Sequence, residues 1–146
     1  MTDASKAVIE YLIARLAAVP ALTSLATAQQ IRPSSDQSDP PVGAAAIVVA
    51  ASDKGNHNGI PGRILVDVDA SVEVRSSLTD DPDMTAFNAL SQAAFQSLCG
   101  IANDTPIPGW DIRYGSEWAS GEVMQDALYR YIEFSASIIL QVHPTN

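Results

Sequence analysis

Few residues in this chain have the types and spacing that chemistry needs. Asp67 and Asp69 alternate within the stretch Arg63 to Ser76. On an extended strand they would share a face roughly 7 Å apart, a distance that suits paired carboxylates in glycoside hydrolysis. The same alternation is what any strand with one wettable face carries. His57 and His143 are the only histidines, one in a glycine-rich loop and one beside Pro144. Zinc would need a further ligand close to both, and no short-spaced ligand motif supplies it. The single cysteine, Cys99, excludes an internal disulfide and any multi-cysteine metal site within one chain. Its place at the end of an apolar helical pattern reads as a buried structural thiol. Gly55, Gly59 and Gly62 are not followed by the lysine and helix of a phosphate-binding loop. Asn103, Asp104 and Thr105 form a glycosylation tripeptide that is common by chance. Trp110, Trp118, Tyr129 and Tyr131 resemble a stacking platform for bases, but Glu117, Glu122 and Asp126 lie where such a platform needs cations. Aromatic residues in that setting fit a subunit interface better. The expectation is a protein with no catalytic residues, no cofactor and no metal. A small enzyme built on Asp67 and Asp69 is the rival reading.

Composition narrows the class further. At 146 residues, residues 1–146 are long enough for a single domain with a proper core. An apolar fraction of 47% argues against global disorder. The formal charge of -9, with 8 scattered Lys and Arg, repels phosphates and argues against sequence-specific nucleic-acid binding. The longest apolar run, Ala44 to Ala51, is far shorter than the ~20 residues that cross a bilayer. Glu10 and Arg15 interrupt what would be the apolar part of a signal peptide, so a cytosolic product is expected.

The elements that would position these residues follow from periodicity. Val8, Ile9, Leu12, Ile13, Leu16 and Val19 trace an amphipathic helix over residues 5–19, ended by Pro20. Gln29 to Arg32 reads as a short strand and Gly43 to Ala51 as a small-residue strand. Residues 52–62, rich in Gly, Asn and Pro, read as an extended, mobile hairpin tip. The strongest signal is the strand after it. Ile64, Val66, Val68, Ala70, Val72 and Val74 occupy every second position, with Leu65, Asp67, Asp69, Ser71, Glu73 and Arg75 between them. Asp80, Asp81, Pro82 and Asp83 give a capped start to a second helix over residues 82–99, with Gly100 as its stop. A partly alternating aromatic segment around Trp110 and Tyr114 then leads to a closing strand over residues 128–142. Arg130 falls on the apolar parity of that strand, so either the strand begins just after it or the guanidinium pairs with an acid across an interface. The predicted fold is α+β: a mainly antiparallel four- to five-stranded sheet with two helices packed on one face. Lys54, Asn56, His57 and Asn58 in the tip, Arg63 after it, and Tyr129, Arg130 and Tyr131 are the candidate assembly contacts.

This order of elements resembles the tail terminator, or tail completion, proteins of long-tailed bacteriophages. The residues that carry the resemblance are the helix with Ala7 to Leu16, the strand Ala44 to Val49, the loop and long strand Ser52 to Ser76, the helix Pro82 to Leu98, and the closing strand from Arg130 to Ile132 onward. The match is one of pattern over nearly the whole chain. The resemblance implies a homo-oligomeric ring, commonly of six subunits, in the tail or neck of the virion. Such a ring caps the completed tail tube, ends its polymerisation and meets the head connector, with the tail tube protein and the connector protein as partners. It implies no cofactor and no turnover, and the short apolar runs noted above add the expectation of no membrane partner. Another head-tail joining protein or a tail tube protein is the nearest alternative.

Overall fold

The computed structural model describes residues 4–20, 31–33, 46–56, 65–79, 82–102, 105–107, 109–115 and 117–142. In chain order the elements are α1 (Ala4–Ala17), β1 (Ile31–Pro33), β2 (Ala46–Asn56), β3 (Leu65–Ser77), α2 (Thr85–Cys99), β4 (Thr105–Ile107), β5 (Trp110–Gly115), β6 (Ala119–Ser120), β7 (Met124–Gln125) and β8 (Tyr129–Val142). The strands form one sheet in the order β1-β2-β3-β8-β5-β4, with β6 and β7 also pairing to β8. All pairs are antiparallel except β1 with β2. The fold is α+β, as expected, with more strand segments than the four or five anticipated, because β1, β4, β6 and β7 are only two or three residues long.

The alternating stretch is the middle of this sheet. β3 pairs with β8 without interruption from Leu65 opposite Gln141 to Ser77 opposite Tyr129, and with β2 on its other side. Its apolar residues Val68, Ala70, Val72 and Val74 are buried, together with Ile47 and Val49 of β2 and Phe134, Ala136, Ile138 and Leu140 of β8. One covered face follows from the period-two pattern, since a strand turns alternate side chains to opposite sides. The helices supply the cover. α1 buries Ala4, Ala7, Val8, Leu12 and Leu16 at helical spacing and packs on β1, β2 and β3. α2 buries Phe87, Leu90, Ala94 and Leu98, and its Phe95 ring lies 4.9 Å from that of Phe134 on β8. Arg15 joins the helices: its Nε donates to the carbonyl oxygen of Ser97 at 3.0 Å and its Nη1 to the Tyr11 hydroxyl at 3.2 Å. A cation at the last turn of α2 also complements carbonyls left without intrahelical partners.

Several local expectations are corrected. α2 starts at Thr85 and not at residue 82, with no side-chain cap at its N-terminus. Met84 precedes it in the left-handed region, φ 62, and its carbonyl accepts from the Asn88 N–H at 2.9 Å. The first turn thus forms past the Pro82 and Asp83 signal. Gly100 does end the helix, but at φ −83, which any residue adopts. A β-carbon there would come within 3.0 Å of Arg15 Nη2, so the glycine makes room for the guanidinium that spans the helices. Cys99 is exposed; Leu98 takes the core position and the next residue turns about 100° away from it. Pro33 is the last residue of β1, and β2 runs on through Asn56, paired to Val66, past the expected boundary at Ala51. The rest of the expected tip, residues 57–62, lies outside the described residues, as do Ile64 and the cap candidates Asp80 and Asp81. Among the described residues, no helix is long and apolar enough to cross a membrane.

Candidate functional site

Among the described residues, no helix covers the face of the sheet opposite α1 and α2. On β3 it carries Asp67, Asp69, Ser71, Glu73 and Arg75, all half-buried, and on β8 Tyr131, Glu133, Ser135 and Ser137. Small residues make a shallow depression of about 530 Å³ across its middle, lined by Ala50, Ser52, Ser71, Ala119, Ser135 and Ser137, with Asp69, Glu117 and Glu133 beside them. Asp69 lines this hollow and Asp67 does not. The Ser137 hydroxyl donates to Asp69 Oδ1 at 3.1 Å. The two aspartates therefore do not converge on one enclosed cleft, which acid and base groups flanking a scissile bond require. Among the described residues, no group of three or more His, Cys, Asp and Glu could hold a metal ion. Both histidines lie outside them.

Toward the end of β3 the open face becomes charged and aromatic. Arg75 Nη2 sits 2.9 Å from Glu73 Oε2, and its guanidinium lies over the Tyr129 ring at 5.7 Å. Tyr131 is opposite Arg75 across the strand pair. Aromatic and arginine side chains clustered on a sheet face are the composition of an interface centre. A turn between β7 and β8 shapes this end. Asp126 Oδ1 accepts the backbone N–H groups of Leu128 and Tyr129, each at 2.8 Å. Those two bonds, with the positive charge of Arg75, hold the Asp126 carboxyl below its ordinary pKa. The turn displays Leu128, 64% exposed, beside Met124 at 50% and Val123 at 49%.

The candidate assembly contacts do not form one cluster. Asn56 pairs with Val66 at one end of the sheet, and Lys54 is the extra residue of a bulge between Asp53 and Gly55. His57, Asn58 and Arg63 lie outside the described residues. Tyr129, Arg130 and Tyr131 are at the other end, opposite Ser77, Ser76 and Arg75. At ~3.3 Å per residue, the stretch of β3 between Val66 and Arg75 separates the described members of the two groups by about 30 Å. Arg130 faces the helices: it is buried, only 7% exposed, with its guanidinium 6.0 Å from the Phe87 ring centre. β8 thus begins before Arg130, not after it, and the guanidinium lies beneath α2. Sequence reasoning did not pick out Val123 or Met124, took Leu128 for the first residue of the closing strand, and read Asp126 only as an acid unsuited to a base-stacking platform. The spacing of Asp126 to Tyr129 is that of an aspartate turn, the one signal that could have marked this end.

No protein-family model matches the chain, and none of the curated proteins is similar to it. Among solved structures, a chain of the "virion of native gene transfer agent (GTA) particle" is similar, with a TM-score of 0.64 and 12% identity, over 96% of this chain and 99% of that one. At that identity the likeness is one of fold, and it extends over nearly the full length of both chains.

Proposed function

We propose that this chain is a structural protein of a phage-like virion. Its oligomeric ring caps the tail tube, ends tail polymerisation and forms the joint to the head connector. The observation that carries the reading is a sheet covered, among the described residues, by helices on one face, in a fold similar to that of a virion chain over 96% of the present one. The open face has a shallow hollow and an arginine–tyrosine end in place of a cleft, which is what a building block needs and a reactor lacks. A net charge of -9 also suits a channel through which DNA passes without adhering.

Size exclusion with light scattering on the full chain tests the assembly. A discrete oligomer with a ring outline by electron microscopy is expected, and a monomer at all concentrations would refute it. A second reading, a tail tube or other head-tail joining protein, has the same support, since the similar chain is identified with a virion and not with a place in it. Gold labelling of intact particles separates the two. Label confined to the tail's head-proximal end supports the terminator, and label along the tail supports the tube.

A further inference from the structure

Two surfaces of this chain, one at each end of α2, have complementary chemistry. The first is the strip 119–128, every residue of which is exposed. Among the described residues it holds the large apolar side chains that face solvent: Val123 49%, Met124 50% and Leu128 64% exposed. Glu122 and Asp126 stand among them, and residues 117–128 contain no Lys or Arg. The strip is held in shape before any contact. Met124 pairs with Tyr131, the Gly121 N–H donates to the Glu133 carbonyl at 2.8 Å, and Asp126 closes the turn to Leu128. A preorganised apolar surface in water with a single sign of charge fits a partner with apolar walls and a cation.

The second surface is a shallow hollow of about 480 Å³, lined by Tyr11, Ala14 and Arg15 of α1, Ala18 and Val19 just past it, and Ser97 of α2. Tyr11, Ala14, Arg15 and Ala18 share one side of the helix by their spacing of three and four, and Ala14 and Ala18 are exposed. Arg15 gives its Nε to the Ser97 carbonyl and its Nη1 to the Tyr11 hydroxyl, whereas Nη2 donates to none of the described residues. A guanidinium with donors to spare beside small apolar walls suits a visitor that brings apolar side chains and a carboxylate.

The strip has that chemistry, and the fold keeps it from the hollow of its own copy. Gln125 is opposite Arg130, whose guanidinium lies by Phe87 in the first turn of α2. Ser97 is in the last turn of that helix, about 15 Å further along its axis at ~1.5 Å per residue. A two-fold contact of the strip with itself would set acid against acid.

We infer that copies of this chain associate head to tail, the Val123, Met124 and Leu128 strip of one seated in the hollow at Tyr11, Ala14, Ala18 and Val19 of the next, with Glu122 toward Arg15. A contact between unlike surfaces repeats around a ring when its rotation closes. This inference rests on the ring-forming reading above and deepens it by naming the two surfaces that meet. At the hollow the contact is made by side chains. The N–H groups of Ala18 and Val19 are already bonded to the Ala14 and Leu16 carbonyls, at 3.2 and 3.1 Å, so the helix amides keep the partners they have.

Charge exchange on the full-length protein tests it, with oligomeric state read by light scattering and folding by thermal melting. Glu122→Lys and, separately, Ala14→Glu should each raise the dissociation constant about tenfold or more, as unfavourable charges placed across an interface do. Both positions are exposed, so neither change should move the melting temperature. Combining the two should restore assembly, because the new lysine then meets the new glutamate. Leu128→Asp should dissociate the ring, again with an unchanged melting temperature. A ring intact in both Leu128→Asp and Ala14→Glu would overturn this contact and leave the ring reading standing. Dissociation by Leu128→Asp with assembly untouched by Ala14→Glu would overturn the hollow as the partner surface, and so would failure of the combined variant to reassemble. A wild-type monomer at all concentrations would overturn both this contact and the ring.

Discussion

The two faces of β3 are made by alternate residues of one strand, yet they have opposite fates. Val68, Val72 and Val74 are fully buried under the helices, while Asp67, Asp69, Ser71 and Glu73, on the opposite parity of the strand, are only half-buried. The covered face, with Leu12, Leu16, Phe87, Leu90 and Leu98 above it, holds the fold together. The open face contributes little to that and is free to carry contacts. The difference teaches that stability and function are separable here by the parity of a residue in its strand. Substitutions on one face should unfold the protein, and those on the other should leave it folded.

The sharpest way to break this contrast is Val68→Asp. An unpaired carboxylate buried between sheet and helices should abolish folding, and an unchanged melting temperature would remove the helix-covered side from the core. Phe87→Ala comes next. Emptying a fully buried aromatic site costs about 3–5 kcal/mol, read from denaturant unfolding, and it also strips the ring from above Arg130. Arg15→Ala tests the link between the helices. Loss of its bond to the Ser97 carbonyl should cost roughly 1.5 kcal/mol, with the sheet unchanged by circular dichroism. On the open face, Asp69→Asn should change stability by less than about 0.5 kcal/mol. A loss comparable to that of Arg15→Ala would mean that the Ser137–Asp69 bond is structural.

The smallest effect is expected at Asp126. Its carboxyl titrates lower in the folded chain than in the unfolded one, because the Leu128 and Tyr129 N–H groups and Arg75 favour the charged form. The folded state therefore binds fewer protons there, and this contribution is complete above the ordinary carboxylate range and lost as pH falls through the lowered value. Asp126→Asn should lower the melting temperature slightly at neutral pH, where the charged carboxyl contributes, and leave it nearly unchanged in strong acid, where that contribution is already lost. An equal acid dependence in both proteins would remove the turn from the account.

Strict periodicity made most of the architecture legible in advance. β3 and β8 alternate over more than ten residues, and α1 and α2 carry apolar residues at helical spacing, so their existence and the identity of the covered face followed from the sequence. β4, β6 and β7 were not legible as strands, since two or three residues show no period and their pairing is decided by the edges of longer strands. The start of α2 was misplaced because Asp80 to Asp83 is a strong capping signal that the left-handed Met84 overrides. Cys99 was misjudged because one step along the helix turns it away from the core face that Leu98 occupies, and Arg130 because its environment is set by the Phe87 ring, distant in sequence. The patch at Val123, Met124 and Leu128 had no signature, because an apolar residue in an unpatterned stretch is ordinarily taken for core, and only coordinates show it in water.

Amide hydrogen exchange on the full chain, assembled at high concentration and dissociated by dilution, tests most directly whether the uncovered side of the sheet is where the protein meets its neighbours. The account predicts that amides of residues 119–128 gain protection on assembly while those of α1 and α2 do not change. Equal protection of residues 119–128 in the two states, or a gain confined to the helices, would contradict it.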